Sequence, residues 1–216
     1  MAVNARNRGE LAVASLLFER CVAIWKDLGD SADIARAVSN LANVTKLKGE
    51  YARASPIYDE CLTMFRKAGD GAGVAWTLNY QGDVAREKAD LVAARSFCEQ
   101  SLAAFRELRD GWGIASALCD LASLSGDLGN DAAARRLYGE SIQMFLEVGH
   151  KRGIARALEC LALSAAAQSN AEQSLRLAGA AAALRQRLCP PLTPTDNQGW
   201  RRPWNSPAEP LAMLQV

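Results

Sequence analysis

The sequence predicts an all-α chain, a solenoid of antiparallel helix hairpins with a 40-residue period. Three observations predict it. One pattern returns at a fixed interval: FRKAGDGAGVAWTL at 65–78, FRELRDGWGIASAL at 105–118 and FLEVGHKRGIARAL at 145–158. Within each copy the apolar residues follow helical spacing. Glycine and small polar residues break the copies at equivalent places.

The 40-residue offset holds without a gap from residue 9 to residue 168. Residues 1–8 read as the tail of a first helix. The segment 11–28 is a second helix with Ala14, Phe18, Cys21 and Trp25 on one face, ended by Gly29. A first helix over 33–48 carries Ala35 and Ala42 and ends at Gly49. Its partner over 51–68 places Tyr51, Ala54, Tyr58, Cys61, Leu62 and Phe65 on one stripe and ends at Gly69. The pair 73–88 and 91–108 repeats this with Val74, Ala75, Leu78, Gly82, Val84 and Ala85, then Ala94, Cys98, Ser101 and Phe105, with Ala89 at the break. The pair 113–128 and 131–148 has Ala115 and Ala122, then Ala134, Tyr138, Ser141 and Phe145, broken at Gly129 and ended at Gly149. A last pair, 153–168 with Ala155 and Ala162 and 171–188, completes the array. The small residues let paired helices approach closely.

This divides the chain into a helical solenoid over 1–188 (leading half repeat 1–32, repeats 33–72, 73–112, 113–152 and 153–188) and a tail over 189–216. The tail, irregular and containing proline and tryptophan, reads as a frameshifted end; a genuine irregular tail is the alternative.

The columns resemble the tetratricopeptide repeat. In the copy spanning 41–62 the matching residues are Leu41, Ala42, Thr45, Gly49, Tyr51, Ala54, Tyr58, Cys61 and Leu62, and the likeness covers roughly 1–188. The copies depart from the family in being 40 rather than 34 residues long, and Gln81 and Asp131 stand at apolar consensus positions. The resemblance implies a right-handed superhelix whose first helices line a concave groove that binds a protein or peptide, with no cofactor or metal and no catalysis. A second resemblance lies at 169–194, where Leu177, Gly179, Ala180, Ala183, Leu184, Arg185, Leu188, Pro191 and Pro194 are similar to the C-terminal end of large bacterial regulators. Those regulators couple a P-loop ATPase and a tetratricopeptide region to a LuxR-type or winged-helix domain or a cyclase. The resemblance implies a signal-transduction or transcriptional regulator from which this chain derives; a stand-alone adaptor, or a structural protein self-associating through exposed solenoid ends, is the alternative.

By the same resemblance, the inward positions are Arg36, Asn40 and Asn43 in the first copy, Trp76, Asn79, Tyr80, Asp83 and Arg86 in the second, Ser116, Asp120 and Ser123 in the third, and Arg156 and Glu159 in the fourth. They differ between copies where the packing columns agree, as a binding groove or a relaxed surface would. The asparagines can pair with an extended peptide. Trp76 and Tyr80 supply aromatic anchors or, alternatively, pack between helices. Chaperone-binding relatives grip a terminal carboxylate with Lys, Asn and Arg; only Asn43 matches, while Ser39, Tyr80, Ser116 and Asp120 replace the others, which disfavours a co-chaperone.

Other chemistry has little to draw on. With 25 basic and 24 acidic side chains the charge is near neutral, which argues against direct nucleic-acid binding. Six scattered cysteines form no CxxC pair and suit buried thiols in a reducing, cytoplasmic compartment. No apolar run suits a membrane span or a signal peptide. The GDGAG stretch at 69–73 lacks both the P-loop pattern and a preceding strand, so it reads as an interhelical turn. His150, the sole histidine, occupies the column of Asp30, Asp70 and Asp110 and reads as a solvated turn residue. The Asn43-Val-Thr45 sequon falls within a helix and is set aside.

Overall fold

The computed structural model describes residues 1–7, 9–28 and 31–188; Gly29, Asp30, Cys189 and the tail over 189–216, with its expected frameshift, lie outside them. Among the described residues every regular element is a helix. In chain order these are α1 (Ala2–Asn7), α2 (Leu11–Leu28), α3 (Ser31–Leu47), α4 (Tyr51–Ala68), α5 (Gly71–Glu87), α6 (Leu91–Glu107), α7 (Gly111–Asp127), α8 (Asp131–Glu147), α9 (Lys151–Ala167) and α10 (Ala171–Leu188). Neighbours in sequence pack against each other, and the tightest pairs are α5 with α6, α7 with α8 and α9 with α10. No helix among the described residues is long and apolar enough to cross a membrane.

The second helices match their expected spans closely, but the first helices begin two residues earlier than expected. The cause is the cap. Asp70 and Asp110 accept a hydrogen bond from the backbone N–H of Gly73 (2.8 Å) and Gly113 (3.0 Å). The helix therefore starts at the residue after the aspartate rather than at the second glycine. Asp90 and Asn130 do the same for Ala93 and Ala133 at the start of α6 and α8.

Each capping residue also closes the preceding helix. The N–H of Asp70 bonds to Phe65 O, that of Asp110 to Phe105 O and that of His150 to Phe145 O, while the residue before it takes a left-handed conformation. One residue thus serves two helix ends, its backbone N–H closing one and its side chain opening the next, which is why the breaks are so short. Glycine supplies this conformation at Gly49, Gly69, Gly129 and Gly149, but Ala89, Arg109 and Ser169 adopt it with a Cβ, at φ 60°, 54° and 60°. The Cβ costs energy there, while glycine frees the unfolded chain. Ala89→Gly is therefore expected to stabilise the protein modestly, by about 0.5 kcal/mol, read as a higher urea midpoint.

His150 is the N-cap of α9, its Nδ1 accepting from the Gly153 N–H at 3.0 Å. This corrects its reading as a merely solvated turn residue. The cap requires a neutral imidazole, and burial, then Arg152, hold its pKa below the ordinary 6.5. The unfolded chain binds this proton first, so the cap's contribution is present above about pH 6.5 and is lost as pH falls below it. Thermal melts should show the wild type losing more stability between pH 7 and pH 5 than His150→Asp, by up to about 1 kcal/mol.

The small-residue columns form the core. Ala14, Ala54, Ala94 and Ala134, with Ala35, Ala75, Ala115 and Ala155, are all fully buried. The three middle hairpins also carry a polar tie between their helices. Ser101 Oγ donates to Ala75 O at 3.0 Å and Ser141 Oγ to Ala115 O at 2.7 Å, and Cys61 Sγ makes the weaker equivalent to Ala35 O. This explains the buried column of Cys61, Ser101 and Ser141.

Candidate functional site

The helices α3, α5, α7 and α9 pack on one another in that order, besides packing on their hairpin partners; no two successive second helices touch to a comparable extent. The first helices thus form a closely spaced inner row. All thirteen residues expected at the groove lie on these four helices, but the structure sorts them into three groups.

One group is committed to the packing of its own hairpin. Tyr58 donates its hydroxyl to Asn43 Oδ1 at 3.0 Å, and both are buried. Ser123 and the Tyr138 hydroxyl sit 2.9 Å apart in the equivalent place. Burial pushes both phenols above their ordinary pKa, so they stay protonated. Ser116 is buried, and Glu159 pairs with Arg185 of α10, whose hydrogen bonds, foremost, hold its pKa below the usual glutamate range.

The second group forms a polar ladder from helix to helix. Arg6 of α1 donates to Asn40 of α3 at 3.1 Å. Arg36 lies 3.6 Å from Asp70 at the start of α5. Lys46 of α3 bonds to Asp83 of α5 at 2.7 Å. From α5, Asn79 donates to Asp120 Oδ2 at 2.7 Å and Arg86 to Asp127 at 3.0 Å. From α9, Arg156 pairs with the other Asp120 oxygen.

The two central carboxylates titrate in opposite directions. Asp120, 4% exposed, is pushed up: its burial outweighs Arg156, and Asp83 adds repulsion. At Asp83 burial also acts upward, but Lys46, Arg156 and the Lys46 hydrogen bond together hold its pKa below the usual aspartate range. Asn79 and Asn43, expected to meet a peptide backbone, are therefore already bonded and buried.

The third group is aromatic. Trp76 packs edge-on against Phe105 of the core with centroids 4.8 Å apart and lies 5.9 Å from Tyr80. Tyr80 lies 5.7 Å from Tyr58 and carries the Lys46 ammonium 5.0 Å over its ring. On the other side Trp76 meets Trp112 at 4.4 Å, and Trp112 meets the His150 ring at 5.2 Å. The result is a continuous aromatic run across α5, α7 and the start of α9. Its outermost indole, Trp112, is 44% exposed.

Sequence reading missed Trp112, Lys46 and Asp127. Trp112 stands in the first turn of α7 next to the capping motif, in a column otherwise held by Ala32, Ala72 and Arg152; that singularity was the available signal. Lys46 and Asp127 carried none, because their partners lie on other helices.

A family model described as tetratricopeptide repeat matches residues 34–68 and 114–148. No curated protein matches the sequence. Among solved structures, BtubC (BKLC) from P. vanneervenii is similar with a TM-score of 0.64 at 14% identity, over 97% of this chain and 84% of that one. A putative kinesin light chain of nearly identical TPR-like repeats from Podosopora anserina is similar, in a singly substituted form, with a TM-score of 0.59 at 14% identity, over 87% of this chain and 92% of that one. A second structure of that protein gives 0.57 with the same identity and coverage. At such identity the likeness is one of fold: an all-α, tetratricopeptide-like solenoid.

Proposed function

We propose that the chain is a non-catalytic scaffold or sensor module that binds a protein or peptide along the inner row, and that the stack is a right-handed solenoid with a 40-residue period. The observation that carries this reading is the aromatic run ending on exposed Trp112. A half-exposed indole held by Trp76 and His150 is a rigid anchor of the kind that dominates interfaces. Arg36 and Arg156, about half-exposed, add directional donors elsewhere on the same row. The ladder keeps the remaining inner polar groups satisfied, so the row is preorganised, which lowers the ordering cost of binding.

The likeness of α10 to the ends of bacterial ATPase-coupled regulators supports placing the module in a cytoplasmic signal-transduction or transcriptional regulator. A second reading, self-association through the last hairpin, is favoured by Leu163 and Leu175, which are 71% and 74% exposed. A concentration-dependent mass in sedimentation, abolished by Leu175→Glu, would establish it.

The test of the main reading is a peptide-library selection against the full chain. Trp112→Ala with Arg36→Ala is expected to weaken the best binder by about thirtyfold, a hot-spot loss; because Trp112 also packs on Trp76 and His150, binding is compared well below the variant's own melting temperature. Undiminished affinity would remove binding from the inner row. Asn79 is unsuitable for this test because its burial would confound binding with stability.

A further inference from the structure

The described residues bring together one pair of thiols from different helices. Cys119 of α7 is fully buried in a core cluster against which Cys160 of α9 packs. The two are 41 residues apart, the offset that also joins Asn79 to Asp120 and Arg86 to Asp127, so the contact belongs to the helix-to-helix stacking of the inner row. Cys160 is half-buried and forms part of the wall of a cavity of about 260 Å³ between α7, α8 and α9, together with Arg86, Ser123, Tyr138 and Leu163. Cys160 thus borders a space that admits a small molecule, and Cys119 does not.

We propose that Cys160 and Cys119 form a two-cysteine oxidation site, in which a hydroperoxide entering this cavity oxidises Cys160 and Cys119 closes a disulfide that ties α7 to α9. In the first step the Cys160 thiolate attacks a peroxide oxygen. An S–O bond forms, the O–O bond breaks, and the leaving oxygen departs as water or an alcohol after taking a proton. In the second step the Cys119 sulfur attacks the sulfenic sulfur. The S–S bond forms, the S–O bond breaks, and hydroxide leaves as water with the Cys119 proton. Two thiols lose two electrons, and the peroxide gains them.

The surroundings divide the two roles. The hydrogen bond from Cys119 favours the thiolate of Cys160, and Arg156, one turn earlier on α9, favours it further; together they lower its pKa to about 6 despite burial. A thiolate at neutral pH beside an open cavity is the reactive form, and Asp120, the counter-ion of Arg156, opposes it only in part. Cys119 donates that hydrogen bond and is buried, and both raise its pKa well above the ordinary thiol, as suits a resolving partner that does not meet oxidant first. The other described thiols are placed differently. Burial pushes Cys61 up to about 12 and keeps Cys98 protonated, and neither owes its shift to a second thiol.

The experiment uses the full, reduced chain with a small excess of hydrogen peroxide, followed by thiol counting and peptide mass mapping. Two of the six thiols should disappear, a linked pair of peptides containing Cys119 and Cys160 should dominate, and a reductant should restore both. Iodoacetamide at neutral pH should label Cys160 at least about tenfold faster than Cys61 or Cys98. In Cys119→Ala the link is absent and a dimedone adduct accumulates on Cys160; in Cys160→Ala neither product forms. Retention of all six thiols, or a disulfide joining two chains or other cysteines, would overturn the proposal. So would labelling of Cys160 no faster than Cys21. The mapping is made on the wild type, so the outcome does not depend on the variants folding.

Discussion

Gly113→Ala is expected to destabilise the protein by about 2 kcal/mol, although the same change at an open helical position is stabilising. A Cβ built on Gly113 would lie 2.1 Å from Cδ1 and 2.4 Å from Cε1 of Phe105, whose ring is fully buried. The ring has no free volume into which to retreat, because it is already packed against Trp76. Overpacking of this kind costs about 1–3 kcal/mol and outweighs the helix propensity gained. Gly139 is the internal control. It lies within α8 with nothing within 4 Å of its would-be Cβ, so Gly139→Ala should stabilise by about 0.5–1 kcal/mol. Urea unfolding of the two variants should shift the midpoint in opposite directions, and Phe105→Leu should recover part of the Gly113→Ala loss. Equal shifts would mean that the ring does not rest on the glycine. The same contact recurs between Phe65 and Gly73 and between Phe145 and Gly153. The recurring stretch is therefore a packing device: its phenylalanine lies on its glycine, and its aspartate or histidine caps the helix that the glycine enters.

Asp120→Ala should cost about 3 kcal/mol. The carboxylate accepts from Asn79 and pairs with Arg156, so its loss leaves the buried Asn79 amide without an acceptor and Arg156 without its counter-ion. Breaking a fully buried ion pair costs about 3–5 kcal/mol. The Arg156 side chain is 40% exposed and can turn toward water, which reduces the charge penalty; the stranded amide supplies the rest at about 1–3 kcal/mol. Asp120→Asn keeps an acceptor for Asn79 and should cost less than the alanine variant. The double variant Asn79→Leu/Asp120→Leu removes both the stranded amide and the buried charge, and should recover part of the loss. Chemical denaturation at pH 7 ranks the three. The pH dependence has a definite sign: Asp120 has a folded pKa above its ordinary value, so the stability tied to its protonated form is full below that value and fades as pH rises through the folded pKa. Asp83, with its pKa lowered, acts in the opposite sense, contributing above the ordinary value and losing that contribution as pH falls. Asp120→Asn should therefore remove the Asp120 part of the profile and, by relieving its repulsion and freeing Arg156, strengthen the Asp83 part.

Much of the fold was legible because it is local. The helical stripe of Tyr51, Ala54, Tyr58, Cys61 and Phe65, the breaks at Gly49, Gly69 and Gly129 and the alanine columns all depend on neighbours within one or two turns, which a linear sequence displays. The two-residue error in the first helices came from assigning Gly71 and Gly111 to the turn, when the side chains of Asp70 and Asp110 had already opened the helix. Of the candidate site, the sequence shows which residues share the first helices, and the state of their side chains was not legible in it. Asn43, Ser123 and Asn79 look as free as Arg36 in sequence, yet only Arg36 keeps a largely exposed side chain.

The sequence by itself determined a repeated helical hairpin and the close approach of its helices at Ala42, Ala54, Ala122 and Ala134. Only the tertiary structure decided that Asp120 bridges Asn79 and Arg156, that Trp76 and Trp112 join into one aromatic run and that Cys119 meets Cys160. The physical reason is that periodicity fixes the direction of a side chain about its own helix axis, whereas these contacts depend on how far each helix is shifted and tilted against the next. Stacking sets that offset, and no residue within one helix encodes it alone.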